Sequence, residues 1–137
     1  MDKHQSKFIF HNYKVENIVL HWNPSYQKEG SIQMKFKLDI ITSIADDKTN
    51  GTVTLKCNIF EDAEVNNYPY SLSLSIVGYF SADPTDVEEI SLENGPTILY
   101  PFFRSVVADI TKAANITSPL VLPLVNINSL ANNTDKE

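Results

Sequence analysis

Cysteine and glycine are scarce in this chain, and long apolar runs are absent. The 137 residues include one cysteine and four glycines. A single cysteine excludes an intrachain disulfide and a zinc site built on two thiolates. Four glycines are too few for a phosphate-binding loop, and neither a Walker sequence nor a Gly-x-Ser-x-Gly elbow occurs. No stretch reaches the roughly 18 apolar residues that a membrane helix requires, so we expect no membrane insertion.

Basic residues are also fewer than acidic ones. The chain has 11 Lys and Arg against 17 Asp and Glu, which gives a net charge of -6. Nucleic acids and anionic membranes bind basic faces, so we expect neither as a partner. The first seven residues are polar and lack the apolar segment of a signal peptide, which predicts a cytoplasmic protein. The length predicts one domain over residues 1–137, with 1–7 and 132–137 as disordered tails.

Residues suited to catalysis or metal binding are few. His4, His11 and His21 have no His-x-x-x-His spacing. The carboxylates occur in runs, as at residues 62–64, and such runs are typical of solvated turns and helix faces. We therefore expect no metal and no cofactor. An enzyme is the least favoured class and would require an activity that is lost on mutation of His21 or Asp62.

Alternating apolar and polar residues predict four strands. They cover residues 8–22, 32–40, 53–59 and about 71–80, with a turn-rich loop at 23–30. A turn at 46–51, with positive φ at Asn50-Gly51, predicts a hairpin between the second and third strands. Cys57 lies in the third strand and is predicted to be a small buried hydrophobe. We interpret the four strands as an antiparallel meander.

The apolar period changes after residue 83. Asp83 and Pro84 favour a short acidic helix over residues 85–92. From about Pro96 to Ala114, apolar side chains recur at three- and four-residue spacing, which predicts a long amphipathic helix. The expected fold is α+β, with a four-stranded antiparallel β-meander and a short and a long C-terminal helix on one face.

The chain carries more apolar side chains than one sheet and two helices can bury. Large exposed apolar patches are rare on monomers, so a partner subunit or a ligand is expected to cover part of them. The sequence leaves open which of these side chains face a partner subunit and which face a ligand. For contacts between subunits we expect Tyr13, Val15, Phe103, Val106, Val107 and Ile110.

Three motifs resemble the SecB family of protein-export chaperones. Pro-Thr-Ile-Leu-Tyr-Pro-Phe-Phe-Arg at residues 96–104 is similar to the family's Pro-x-x-Leu-Phe-Pro-Tyr-x-Arg at the start of its main helix. Leu-Pro-Leu-Val-Asn-Ile-Asn-Ser-Leu at 122–130 is similar to Leu-x-Pro-Val-Asn-Phe-x-x-Leu, and Gly-Tyr-Phe at 78–80 is similar to Gly-Ile-Phe. With strand order and length, the resemblance covers about residues 8–131.

The resemblance implies an oligomeric chaperone, a dimer of dimers, that binds non-native polypeptides without ATP. A SecA-type translocase motor is a candidate partner. The polypeptide groove is implied to lie at the loop after strand one, the sheet and the segment beyond the main helix. Carried over by position, the groove residues are Trp22, Tyr26, Phe80, Leu122, Val125, Ile127 and Leu130.

Departures from the family pattern separate this chain from secretory members. Pro123 is displaced by one position from the family's proline, and Ile127 replaces its usual aromatic residue. The longer C-terminal helix beyond Leu130 is expected to be missing, which weakens the case for SecA coupling. The alternative function is a dedicated chaperone, adaptor or scaffold for one partner, for example an antitoxin, without a role in secretion.

Overall fold

One antiparallel sheet and one long helix make up most of the described chain. A computed structural model of the protein describes residues 8–32, 34, 36–88 and 94–123. Its elements are β1 (Ile9–Trp22), β2 (Phe36–Ile44), β3 (Asn50–Ile59), α1 (Ala63–Asn66), β4 (Tyr70–Ser81) and α2 (Asn94–Ala114). The predicted tails at 1–7 and 132–137 lie outside the described residues. The four antiparallel strands and the long helix confirm the predicted fold class.

The strand order corrects the predicted meander at one position. The sheet runs β1-β4-β3-β2, and each neighbouring pair is antiparallel. β2, β3 and β4 follow one another, but β1 pairs with β4 rather than β2. A tight turn forces consecutive strands together, whereas the stretch between β1 and β2 is long enough to cross the sheet. β1 and β2 are therefore both edge strands.

The β2–β3 hairpin is present, but its turn lies earlier than predicted. The Asp47 carboxylate accepts hydrogen bonds from the backbone N–H of Thr49 at 2.9 Å and of Asn50 at 3.3 Å. The left-handed residue is Lys48, with φ 60°, while Asn50 and Gly51 already belong to β3. An aspartate that binds the backbone two residues on closes a turn by itself. The bond from Thr49, together with the other bonds of this turn, lowers the pKa of Asp47.

The helices agree with the prediction only in part. α2 confirms the long helix, and Asn115 follows it with φ 56°, as a left-handed residue commonly does after a helix. Residues 84–87, where the short acidic helix was expected to begin, form a turn, and Glu88 within the predicted range is helical. Residues 89–93 lie outside the described chain. α1 is not predicted because its four residues are too few to show an apolar period.

The core lies between α2 and one face of the sheet. α2 contributes Leu99, Phe103 and Val107, each fully buried. Buried side chains alternate along β3 and β4, as Val53, Leu55, Cys57, Ile59, Tyr70, Leu72, Leu74 and Ile76. Cys57 is 3% exposed, which confirms the prediction for this residue, and burial raises the pKa of its thiol to about 12.

Gly78 in β4 lets α2 approach the centre of the sheet. A Cβ at this position would lie 3.0 Å from Leu99 Cδ1 and 3.0 Å from Phe80 Cε1. Both neighbours are buried, and contacts this short force packed atoms to move. The short distance between α2 and the sheet therefore depends on glycine at residue 78, which has no side chain.

The chain beyond α2 returns along the helix and is held there by side chains. Arg104 Nε donates to the carbonyl oxygen of Leu122 at 2.9 Å, and the Tyr100 hydroxyl donates to that of Pro123 at 3.0 Å. The Leu122 side chain is fully buried. The motif at 96–104 is therefore in direct contact with Leu122 and Pro123, the first two residues of the motif at 122–130.

Candidate functional site

Apolar side chains of β1 remain exposed beside α2. Residues directly opposite one another on antiparallel strands share a face, and one row of β1 lies opposite the core residues of β4. In this row Val15 is 42% exposed, Ile18 45% and Trp22 58%. They are exposed because β1 is an edge strand and the buried face of α2 packs on β3 and β4.

α2 continues this surface. Phe102 packs against Phe10 and Tyr13, with ring centroids 5.3 and 5.2 Å apart. Val106 and Ile110 follow at four-residue intervals, so they lie on the same side of the helix, and both are half-buried. We call this set the β1–α2 surface, and its members are Phe10, Tyr13, Val15, Ile18, Phe102, Val106 and Ile110.

A cavity of about 500 Å³ lies at one end of the β1–α2 surface. β1 lines it with Leu20 and Trp22, and the end of α2 lines it with Ala114, Asn115 and Ile116. Four of these five residues are apolar, and the volume is within the range of ligand-binding cavities. We call it the Trp22 cavity. It can receive apolar groups of a partner beside a large aromatic side chain.

The loop after β1 is attached to the β3–β4 connection through a buried asparagine. Asn23 is 2% exposed, and its Nδ2 donates to the carbonyl oxygens of Ala63 at 3.2 Å and Tyr68 at 2.9 Å. Its Oδ1 accepts a hydrogen bond from Ser25 N–H at 3.0 Å. One side chain thus satisfies three backbone groups outside the sheet.

Asn67 makes a further attachment to the same loop. Its Oδ1 accepts from Gln27 N–H at 3.0 Å, and its Nδ2 donates to the Gln27 carbonyl oxygen at 2.8 Å. The amide therefore binds Gln27 as a neighbouring strand would. Asn67 has φ 57°, a left-handed conformation in which asparagine is enriched. We call this pair of bonds the Asn67–Gln27 clasp.

The clasp borders another cavity, of about 320 Å³, which we call the loop cavity. Its lining residues are Tyr26, Glu29, Ser31, Ile32, Asn66, Asn67 and Tyr68. The Tyr68 ring packs against Phe60 with a centroid distance of 4.8 Å, so its position is fixed from the core side. Tyrosine offers both apolar area and a hydroxyl, and two tyrosines meet at this cavity.

The structure separates two aromatic residues of the predicted groove, the exposed Trp22 and the half-buried Tyr26. Trp22 lines the Trp22 cavity and Tyr26 lines the loop cavity. The sequence places both near the same loop, but only Tyr26 belongs to it, because β1 extends to Trp22. A bound polypeptide would therefore meet them at two separate positions.

Two of the other predicted groove residues, Phe80 and Leu122, are buried in the core. Phe80 is 1% exposed and Leu122 is fully buried, so neither side chain is accessible to a bound polypeptide as the chain is folded. Phe80 lies on the core face of β4. Leu122 also belongs to the core, and its backbone carbonyl oxygen accepts the hydrogen bond from Arg104. Val125, Ile127 and Leu130 lie outside the described residues.

Of the six residues predicted to contact another subunit, four lie on the surface and two are buried. Tyr13, Val15, Val106 and Ile110 belong to the β1–α2 surface defined above. Phe103 and Val107 are fully buried in the core of the chain itself, so neither side chain is free to contact a subunit. Adjacent positions on a helix point in different directions, and an apolar sequence does not tell the core-facing stripe from the stripe beside it.

Sequence reasoning missed the residues that attach the loop. Asn23 and Asn67 are ordinary turn formers in the sequence, and the partners through which they attach the loop to the β3–β4 connection lie 40 or more residues away. Tyr68 had no role assigned to it. Two asparagines and one proline within residues 66–69 were the available signal, since asparagine side chains bond to backbone groups in turns and proline favours turns.

The described part of the chain does not assemble a metal centre. Within residues 8–32, 34, 36–88 and 94–123, no cluster of three or more His, Cys, Asp or Glu could hold a metal ion. His21 and Asp62, the residues considered for catalysis, border a cavity of about 260 Å³ on the surface. No helix of the described ranges is both long and apolar enough to span a bilayer.

A family model covers nearly the whole chain. The model described as preprotein translocase subunit SecB matches residues 12–137. The chain belongs to the SecB family. A relative, the uncharacterized protein MJ0357 of Methanocaldococcus jannaschii, is 25% identical over 131 residues, which is 93% of this chain and 84% of the relative.

Two solved structures share the fold. The Mycobacterium tuberculosis SecB-like chaperone Rv1957, in complex with a ChAD peptide from the Rv1956 HigA1 antitoxin, has a TM-score of 0.68 at 15% identity over 86% of this chain and 90% of its own. A Streptococcus agalactiae protein of unknown function has a TM-score of 0.54 at 15% identity over 87% and 98%. These similarities confirm the SecB-like fold expected from the motifs.

The contacts explain what the SecB motifs do in this fold. Tyr100 and Arg104 of the first motif hold Leu122 and Pro123 of the second by hydrogen bonds. Gly78 of the third motif admits α2 to the sheet. The motifs that identify the family therefore position α2 and the segment after it, and none of these five residues lines the Trp22 cavity or the loop cavity.

Proposed function

We propose that this protein is a cytoplasmic chaperone that holds extended, non-native polypeptides at apolar sites. SecB family membership supports this proposal. The structural observation that carries it is Trp22, which is 58% exposed beside a largely apolar cavity of about 500 Å³. Trp22 continues the exposed row of Val15 and Ile18, and contiguous exposed apolar area marks interaction sites. Burial of apolar groups is non-directional, so such a site accepts many sequences.

The loop cavity offers a further contact for the same polypeptide. Tyr26 and Tyr68 supply apolar area, and Asn66 and Glu29 supply polar groups around them. A bound side chain can bury its apolar part against the rings and leave polar atoms near the rim. The Trp22 cavity and the loop cavity together would hold an extended segment at more than one point.

We also propose that copies of the chain associate as a dimer of dimers. β1 is a 14-residue edge strand, and Val15 and Ile18 expose apolar area beside it. Exposed edges of this kind pair readily with another chain. The β1–α2 surface is the proposed contact. Light scattering should give a mass of four times 15.4 kDa, and a monomeric mass would contradict the assembly.

A dedicated chaperone or adaptor for one partner is the second candidate function. It is favoured by the solved SecB-like chaperone that carries an antitoxin peptide. Delivery to a SecA-type motor is a separate role, suggested by the description of the family as a preprotein translocase subunit. A pull-down that returns one folded protein, without binding to unfolded chains, would favour the dedicated role.

Aggregation of a chemically unfolded enzyme after dilution tests the general chaperone proposal. The protein should suppress light scattering at stoichiometric ratios, and Trp22→Ala should weaken binding about tenfold or more, because buried aromatic anchors dominate interfaces. Ile41→Ala is the matched control, since Ile41 is 51% exposed on the opposite face of the sheet. Equal effects of the two substitutions would contradict the role of the Trp22 cavity.

A further inference from the structure

Tyr26 lies in a loop segment that is attached on both sides of it. On one side, Asn23 binds backbone groups of Ala63 and Tyr68. On the other side, Gln27 is held by the Asn67–Gln27 clasp. Tyr26 N–H also donates to the Asn23 carbonyl oxygen at 3.1 Å. The position of Tyr26 relative to the β3–β4 connection is therefore fixed by asparagine amides.

The clasp fixes the orientation of the Gln27 backbone as well as its distance from Asn67. Both of its bonds go to the backbone of Gln27, one to the N–H and one to the carbonyl oxygen, at 3.0 and 2.8 Å. A side-chain amide carries its acceptor and its donor on neighbouring atoms and can make both bonds at once, whereas a carboxylate accepts only. The partners are exposed, so the bonds compete with water and are individually modest. The clasp is suited to holding a loop in place rather than to stabilising the fold.

The neighbouring asparagine provides a contrast. Asn66 also lines the loop cavity, but its Nδ2 donates to the Glu61 carbonyl oxygen at 3.0 Å, within its own segment. Asn66 therefore makes a comparable amide bond without attaching the loop. Asn67 alone of this pair joins the two walls of the cavity.

We infer, on the basis of the proposed function, that Asn67 is a positioning residue for polypeptide binding. Its amide keeps the loop after β1 docked, and the docked loop presents Tyr26 in the loop cavity. When a binding-competent conformation is populated only in part, the apparent dissociation constant rises in inverse proportion to that population. Loss of two hydrogen bonds of ordinary strength should lower the equilibrium constant for docking by about tenfold, and the affinity then falls with the docked population by up to that factor.

Asn67→Gly separates this role from a structural one. Asn67 ends α1 in the left-handed conformation, and its own N–H donates to Ala63 O. Glycine prefers this conformation at a helix end, so the backbone is kept while the clasp is removed. The urea midpoint of unfolding should be unchanged or higher, whereas affinity should fall. If Asn67 had only a structural role, the urea midpoint and the affinity would fall together.

The binding probe is reduced and carboxyamidomethylated lysozyme with a fluorescent label, measured by anisotropy on the full chain. We expect binding weaker by about twofold to tenfold for Asn67→Gly and an intermediate value for Asn67→Asp, which keeps the acceptor and loses the donor. Asn66→Ala, which leaves the clasp intact, should weaken binding less than Asn67→Gly does. Hydrogen exchange at the Gln27 amide should accelerate in Asn67→Gly, because the amide loses its acceptor.

A double mutant tests whether Asn67 acts through Tyr26. Tyr26→Ala should weaken binding, and adding Asn67→Gly to it should have little further effect, since coupled residues give non-additive changes. Unchanged binding by Asn67→Gly, additive effects, or equal losses in Asn66→Ala would each overturn the inference while the proposed function stands. Failure of the wild-type protein to bind the unfolded probe would overturn both.

Discussion

Replacing Gly78 with alanine should destabilise the fold by crowding the contact between β4 and α2. The added Cβ would lie 3.0 Å from Leu99 Cδ1, 3.0 Å from Phe80 Cε1 and 3.2 Å from Leu99 Cδ2. Leu99 and Phe80 are 0% and 1% exposed, so neither side chain can turn into solvent. Insertion of extra carbon atoms into a packed core costs about 1–3 kcal/mol.

A smaller effect opposes this cost. Alanine restricts the unfolded chain, which stabilises the folded state by roughly 0.4–1 kcal/mol where the native backbone tolerates it. Gly78 is not among the residues with positive φ, so this gain applies. Crowding is the larger effect, and we expect a net loss of about 1–2 kcal/mol. For a domain of this size the melting temperature should fall by about 3–8 °C.

Urea unfolding followed by circular dichroism, at one protein concentration, measures this loss. Leu99→Ala should remove most of the crowding, so Gly78→Ala should cost less in that background by at least about 0.5 kcal/mol. A Gly78→Ala protein as stable as wild type, or strictly additive effects of the two substitutions, would refute the packing account of residue 78.

Three further predictions concern the buried polar and titratable groups. Tyr100→Phe removes the hydrogen bond to Pro123, so the free energy of unfolding should fall by about 0.5–1.5 kcal/mol. Limited proteolysis after α2 should become faster, and an unchanged digestion rate would contradict this. Asn23→Ala leaves buried backbone groups without their partner, which should lower the free energy of unfolding in urea titrations by about 1–3 kcal/mol. A decrease below about 0.5 kcal/mol, which is typical of a surface substitution, would argue against the attachment. Burial raises the pKa of the Cys57 thiol from 9.0 to about 12. Native protein should therefore resist thiol reagents at pH 8. Because the unfolded chain ionises first, stability should fall as pH rises from about 9 towards 12; rapid native labelling or rising stability would contradict this.

The sequence predicts the elements that repeat a local period. The alternation from Val53 to Ile59 and the stripe around Leu99, Phe103 and Val107 each identify a buried face before any tertiary contact is known. The position of β1 beside β4 was not predictable in this way. Its pairing partner is selected by contacts across the whole sheet, and no short turn fixes it.

The candidate site was harder to predict than the fold. Apolar character marks both Trp22 and Phe80, but only the tertiary structure shows that one is 58% exposed and the other 1%. The clasp joins Asn67 to a residue 40 positions away, so neither period nor spacing reveals it. The family motifs were detectable because they fix α2, which most members of a fold must preserve, rather than the surfaces that meet a partner.

The mass of the native protein with and without an excess of unfolded polypeptide tests the central claim most directly. Gel filtration followed by light scattering should show an assembly near four times 15.4 kDa that gains mass when reduced and carboxyamidomethylated lysozyme is added, and gains less when Trp22 is replaced by alanine. An assembly whose mass is unaffected by the unfolded polypeptide would contradict the chaperone function and favour a dedicated adaptor.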